Sequence, residues 1–482
     1  MVSSDRMKWF ALALLCAVQF MVVLDIAIVN VALPSIQADL GFSQQNLQWV
    51  LSAYALAFGG FLLLGGRTAD LLGRRRIFVA GTILFTLGSL LCGLAWSDES
   101  LIGARAIQGL GAAAITPAAL AILVTTFSEG RERNIALGAW GAVGGFGAAA
   151  GVLFGGILTD LLAWEWIFFV NIPVGLAGLA LTPLLLTESR DRRAQSFDVP
   201  GAVLVTSGLS TLVLGITQGR DWGWGSAATI GVFAASIALL VGFIVWESRV
   251  KDPLMPFSIF RLQTLTAANV AGFVLGTALF AMFLMLTLYM QQVLGFSPIE
   301  TGFAYLAVAG TAVIWANVAA IAVNRVGVKP ALIFGMSLLT IGLVYFTQVS
   351  VGGSYWADLL PGFLIIGLAI PFAFVPISIA AFAGTRQDEA GLASGLMNTS
   401  QQIGGAVGIA ILSTVATSWT SDSVQNGQEL PVALTDGFQA AFWTGAAIAF
   451  AGVLVSIFLV RGRDLRAEEI ETTAAEPLPE AA

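Results

Sequence analysis

The chain has 482 residues, 57% of them hydrophobic and 11% charged. Soluble domains carry roughly 25% charged residues, so this composition excludes a water-facing globule and makes lipid the main solvent. The formal charge of −7 describes no acidic soluble face, because the acids gather in loops and in a terminal stretch with Glu468, Glu469, Glu471, Glu476 and Glu480.

Apolar runs of about 20 residues, enough to cross ~30 Å of hydrocarbon, fall at 9–33, 46–66, 77–96, 100–126, 135–160, 167–186 and 199–218. The second half of the chain adds 226–247, 265–292, 299–324, 329–350, 358–383, 391–416 and 437–460. The runs are continuous rather than alternating, which excludes a β-barrel. The expected fold is an all-α integral membrane protein with fourteen transmembrane helices. Its first run is too long for a cleaved signal peptide and is expected to stay as a span.

Assigning loops alternately to the two sides tests the count. On one side fall Arg6 and Lys8, then Arg67, Arg74, Arg75 and Arg76, then Arg131 and Arg133, then Arg190, Arg192 and Arg193. The same side continues with Arg249, Lys251 and Arg261, with Arg325 and Lys329, with Arg386, and with Arg461, Arg463 and Arg466. Of the 22 basic residues only Arg105 and Arg220 fall elsewhere. Basic loops stay cytoplasmic, so both termini are expected there; one miscounted span would move every later cluster to the wrong side. Trp9, Trp49, Trp96, Trp164, Trp166, Trp222, Trp224 and Trp246 lie at span ends, as interfacial belts do, although some suit packing equally well.

The chemistry-bearing residues are few. Histidine is absent, which removes the usual metal ligand and neutral-pH acid or base and leaves carboxylates to handle any proton. Cys16 and Cys92 stand in apolar runs and read as small core residues rather than a metal or disulfide framework. Asp25 in span 1 and Arg105 in span 4 are the ionisable groups deep in apolar runs. Each costs ~2.5–3.5 kcal/mol to insert, which marks function by default. At 1.5 Å per residue, Asp25 lies ~12 Å below the outer end of its span and Arg105 ~8 Å below the same face. A permanent ion pair that merely fixes two helices is the plainer alternative. The later spans carry no central charge but hold Asn269, Tyr289, Gln291, Tyr305, Asn317, Asn398, Gln401 and Gln402, with Phe280, Met282, Phe283 and Met285. That mixture suits an amphipathic ligand held by apolar walls and a few hydrogen bonds, while each residue alone suits an interhelical contact.

Several motifs resemble those of the major facilitator superfamily. The turn Gly66-Arg67-Thr68-Ala69-Asp70-Leu71-Leu72-Gly73-Arg74-Arg75-Arg76 is similar to the family's signature between its second and third helices. A weaker echo, Asn324-Arg325-Val326-Gly327-Val328-Lys329-Pro330, stands where a second-half repeat would place it. Leu24-Asp25-Ile26-Ala27-Ile28-Val29-Asn30-Val31-Ala32-Leu33-Pro34, Arg105-Ala106-Ile107-Gln108-Gly109-Leu110-Gly111 and the Gly-rich span 5 resemble drug:proton antiporter motifs. The first of these, with Trp164 to Pro173 and Gly391 to Asn398, resembles the fourteen-span subfamily of bacterial multidrug efflux proteins.

The resemblance implies two pseudo-symmetric six-helix bundles, 1–186 and 265–460, and an extra helix pair in 187–264 expected to pack peripherally, while the acidic composition of 461–482 makes a disordered tail the expectation there. It implies a proton-coupled secondary transporter in the bacterial cytoplasmic membrane that exports amphipathic organic compounds by alternating access. Asp25 and Arg105 are then the proton-coupling pair, and Asp70, Gly73, Arg74 and Arg131 a conformational charge network. Gly147, Gly151, Gly155 and Gly156 pack the antiporter-like helix, and Asn30, Tyr54, Gln108, Phe280, Tyr289, Tyr305, Asn398 and Gln401 are substrate candidates. No cofactor or metal is expected beyond the proton gradient; the partners are substrate, protons and lipid, without nucleic acid, around a monomer. Two positions depart from the pattern: Val152 follows Gly151 where the family has Pro, and Glu165 replaces a usually basic residue. The first weakens the argument for exchange over uptake, so a proton-coupled importer and a lipid or amphiphile translocator stay open beside export. No P-loop, paired buried carboxylates or catalytic domain is read from the sequence, which disfavours an ATP-driven pump or a membrane enzyme; a non-transporting sensor would carry an appended domain.

Overall fold

A chain in lipid must satisfy its backbone within each segment, and helices do so. The computed structural model describes residues 4–43, 46–127, 131–189, 198–251, 253–255, 257–382 and 390–460, and among these the regular elements are helices without strands. In chain order they are α1 (Ser4–Leu40), α2 (Trp49–Leu72), α3 (Arg74–Gly93), α4 (Asp98–Thr126), α5 (Arg131–Leu161), α6 (Trp166–Leu185, with a turn at Val170) and α7 (Val199–Trp222). There follow α8 (Ala227–Glu247), α9 (Gln263–Val293, closing in a π-helical turn), α10 (Pro298–Val326), α11 (Val328–Phe346), α12 (Leu360–Phe382), α13 (Ala390–Gln425) and α14 (Leu430–Phe458).

Fourteen helices thus answer to the fourteen expected spans. Thirteen are long and apolar enough to cross a membrane; of α5, the apolar stretch Ala149–Leu161 is shorter. Several helices outrun their apolar cores. The α1 helix continues through Pro34 to Leu40, α13 reaches Gln425, and α14 starts at Leu430 rather than near 437. Hydropathy marks the lipid-facing part only, while backbone hydrogen bonding carries on into the polar interface.

Neighbour relations repeat along the chain. Helix α4 packs on α2 and α3, α5 on α1, and α6 on α1 and α3. Eight helices later, α12 packs on α10 and α11, α13 on α9, and α14 on α9 and α11. Two seams join the sets, α5 against α10 and α2 against α13. The turn between α2 and α3 bends at Gly73, φ +113°, and the turn between α10 and α11 at Gly327, φ +89°. Both lie in a region that residues with a side chain rarely enter.

The extra pair is not wholly peripheral. Helix α8 packs mainly on α7, but α7 contacts both α2 and α13. Gln48 donates to Thr217 Oγ1 at 3.1 Å, and Thr414 donates to the Ile216 carbonyl at 3.2 Å. The tail at 461–482 lies outside the described residues.

Candidate functional site

The two embedded charges meet. Asp25 Oδ2 accepts from Arg105 Nη1 at 2.6 Å. Asp25 Oδ1 accepts from Gln108 Nε2 at 2.7 Å and from Asn171 Nδ2 at 2.8 Å. Both amides also donate to Ser89 Oγ, at 2.8 and 3.3 Å. Arg105 is held in turn: Nη1 donates to Gln108 Oε1 at 2.6 Å and Nε to the Val50 carbonyl at 3.0 Å. Its guanidinium lies 4.3 Å from the centre of the Tyr54 ring and 5.7 Å from that of Phe168, a cation–π arrangement. Asp25 and Arg105 are both fully buried. Five helices, α1, α2, α3, α4 and α6, therefore contribute to one cluster, with α4 and α6 donating directly to the carboxylate of α1.

Local sequence sets each member. Helix α4 starts with a reciprocal cap between Ser97 and Ser100, which anchors its register so that Arg105 and Gln108, three residues apart, share one face. An added Cβ on Gly88 would meet Gln108 N at 2.8 Å, and one on Gly109 the Tyr54 carbonyl at 2.5 Å; glycine there lets α2, α3 and α4 close on the cluster. Asn171 enters just after the turn at Val170, and Pro173 follows in the first turn, where its missing N–H is tolerated. Charge-assisted hydrogen bonds contribute ~1.5–3 kcal/mol each, enough together to offset insertion of the two charges. Arg105 Nη2, the Tyr54 hydroxyl and Asn171 Oδ1 keep no partner among the described residues, so the cluster retains polar capacity beside the carboxylate.

Of the expected residues, Asp25, Arg105, Gln108 and Tyr54 come together. Ser89 and Asn171 were missed as site residues: a serine in an apolar helix carries no signal of its own, and Asn171 registered only as motif wording. Asn30 bonds the Ile26 carbonyl of its own helix at 3.0 Å and Asn398 that of Ser394 at 3.0 Å. Tyr289 donates to the Ser350 carbonyl at 2.7 Å, and Tyr305 to that of Phe283 at 2.8 Å. Phe280 lies against Gly405, and Gln401, whose Nε2 has no described partner, lies against Gly276. These second-half residues stay apart from the Asp25 cluster.

The glycines of α5 face α1 beside Asp25. A Cβ added at Gly147 would meet Val23 at 3.0 Å, at Gly151 the Leu24 carbonyl at 2.7 Å, and at Gly155 the Ile28 carbonyl at 2.7 Å. Gly156 turns instead to α10, where a Cβ would meet the Pro298 carbonyl at 2.5 Å. At the other end of the first six helices Arg74 Nε donates to Asp70 Oδ1 at 2.9 Å. Glu188, absent from the sequence expectations, accepts from the Arg75 amide at 3.2 Å and pairs with Arg76 at 3.7 Å. The Arg131 side chain lies outside the described residues.

A family model described as the Major Facilitator Superfamily matches residues 15–409. The chain belongs to that superfamily. This superfamily member is a multi-pass membrane transporter, not an enzyme. It is similar to the puromycin resistance protein pur8 of Streptomyces alboniger, 40% identical over 94% of this chain and 90% of that one. Similar too are the cephamycin export protein CmcT of Amycolatopsis lactamdurans, 39% identical over 86% of each, and a tetracenomycin C resistance and export protein of Streptomyces glaucescens, 34% identical over 86% and 77%. Among solved structures, a bacterial homologue of the lysosomal transporter Spinster in an inward-facing, unoccupied conformation superposes with a TM-score of 0.67 at 14% identity, over 96% of this chain and 98% of that one. That likeness establishes the fold.

Proposed function

We propose that this transporter exports amphipathic organic compounds, antibiotics or drugs among them, in exchange for protons by alternating access. Asp25 is the proton carrier and Arg105 its tuning partner. The observation that carries this reading is a carboxylate sheltered from water on all sides, held by one guanidinium and two amides on two helices, α4 and α6. A nearby cation favours the ionised carboxylate and burial favours the protonated one. Parting Asp25 from Arg105 as the helices move converts the first environment into the second. The coupling of proton to conformation follows.

The recurrence of helix neighbours at an offset of eight supports two pseudo-symmetric six-helix bundles, with 187–264 as the inserted pair. Rocking of one bundle on the other then hinges on the α5/α10 and α2/α13 seams. Hydrogen bonds between the halves gather at the end away from the arginine loops, with Gln291 donating to the Val31 carbonyl at 2.7 Å and Gln292 to Gln37 at 3.1 Å. These bonds hold that end shut, and in this reading access is from the arginine-loop side. The positive-inside rule makes that side cytoplasmic, with both termini there and the protein in the bacterial inner membrane. The charge network of Asp70, Arg74 and Glu188 belongs to the same face. Compounds named for the relatives, puromycin, cephamycin and tetracenomycin, indicate the substrate class. The proton gradient supplies the energy, with no cofactor, in a monomer.

The test is puromycin flux in sealed inside-out vesicles under imposed pH gradients of each sign. An acidic lumen is expected to drive accumulation, and Asp25→Asn to reduce it to the level of vesicles without the protein. Wild-type rates in Asp25→Asn would overturn the coupling role; accumulation only under the opposite gradient would overturn export.

A further inference from the structure

Contrary to the expectation that no buried carboxylates pair, two more carboxyls are buried together far along the chain from the Asp25 cluster, because their positions at the start of α7 and the end of α8 meet only when the two helices pack. Asp198 immediately precedes α7 and Glu247 ends α8, with exposures of 2% and 3%. They close on the same point: a Cβ added to Gly201 would lie 2.5 Å from Asp198 Oδ2 and 2.6 Å from Glu247 Oε1. Their other oxygens are held by neutral donors. The Gly201 amide and Trp246 Nε1 donate to Asp198 Oδ1 at 2.9 and 2.6 Å, and the Met255 amide to Glu247 Oε2 at 3.1 Å. The two facing oxygens, Asp198 Oδ2 and Glu247 Oε1, have no partner among the described residues. Nearby Arg249, Lys251 and Arg261 are exposed. Asp198 is the charged group acting on Glu247.

We propose that Asp198 and Glu247 form a second proton-binding site, sharing one proton taken from the aqueous phase at the arginine-loop end of the α7–α8 pair. Two buried carboxylates facing each other without a cation cannot both ionise at ordinary cost. One added proton turns the repulsion into an O–H···O⁻ hydrogen bond and satisfies both orphaned oxygens. The proton belongs to the pair rather than to either residue. No bond other than O–H forms or breaks. The site stands at the base of α7, which touches both halves: Thr206 lies against Gly60 of α2, and the Ile216 carbonyl accepts from Thr414 of α13. Loss of the proton places two like charges at that base and loosens the prop against the α2/α13 seam. The proposal is independent of Asp25.

Infrared difference spectroscopy of the full chain in lipid nanodiscs, titrated through neutral pH, tests it. Wild type is expected to show a protonated-carboxyl C=O band that disappears as pH rises, stays in Asp25→Asn, and is lost in Glu247→Gln and in Asp198→Asn. Using both single variants, each checked for monodispersity, keeps the test decisive if one fails to fold. A wild type without the band, a band that survives in either folded pair variant, or a band that vanishes in Asp25→Asn would overturn the proposal.

Discussion

At the scale of single residues, the Asp25 cluster gives Arg105 contacts that another cation would not reproduce. A lysine has one nitrogen to offer, whereas Arg105 reaches Asp25, Gln108 and the Val50 carbonyl from a fixed plane that also stacks on Tyr54. Arg105→Lys is therefore expected to lower transport at least about tenfold, the equivalent of one charged hydrogen bond, with expression unchanged, as read by flux in proteoliposomes. Arg105→Ala goes further and leaves Asp25 buried and unpaired, a loss of ~3–5 kcal/mol. Combining it with Asp25→Asn is expected to restore most of the thermal stability, but not transport. A double variant no more stable than Arg105→Ala would show that the pair is not the source of the loss. The sequence disclosed Asp25 and Arg105 because a charge in an apolar run is conspicuous. Ser89 and Asn171 were not legible, since neutral polar residues in membrane helices are common and their convergence depends on where α3 and α6 come to lie.

At the scale of elements, α5 works as a spacer-free rail. Gly151 and Gly155 bring its backbone against the Leu24 and Ile28 carbonyls on either side of Asp25, so movement of α5 bears directly on the proposed proton site. Gly151→Val is expected to force the helices apart, costing roughly 1–3 kcal/mol and most transport. Gly103→Ala, where nothing lies within 4 Å, is expected to change neither. Thermal denaturation and flux on the same preparations distinguish them. The Gly-rich pattern of α5 was readable, but which helix each glycine faces was not: three look toward α1 and Gly156 toward α10. Glu188 makes the same point for the arginine turn. The motif supplied Asp70 and Gly73, yet the carboxylate that gathers Arg75 and Arg76 comes from beyond α6, more than a hundred residues later. These groups are partly exposed, so Glu188→Gln is expected to act modestly, within ~1 kcal/mol, as a shift in which end of the transporter admits a thiol reagent.

At the scale of the whole molecule, the closed end predicts a lock. With Cys16 and Cys92 replaced, Gln37→Cys and Gln292→Cys joined by a cleavable bifunctional reagent are expected to stop transport, and reductive cleavage to restore it. Undiminished flux in the cross-linked protein would mean that this end need not open. The sequence by itself determined what is local and cumulative: fourteen helices from runs of apolar residues, the basic side from loop charge, the family from motif order, and the two embedded charges. Each of these is a property of one segment or of its neighbours in the chain, and lipid leaves a segment little alternative to helix. Tertiary structure alone decided which faces meet. It brought Asn171 and Ser89 to Asp25, set α7 against both α2 and α13, and closed Asp198 on Glu247 across the extra pair. Among helices of similar hydropathy, small-residue packing and hydrogen bonds select the neighbours, and those selections span residues whose separation along the chain carries no trace of their contact.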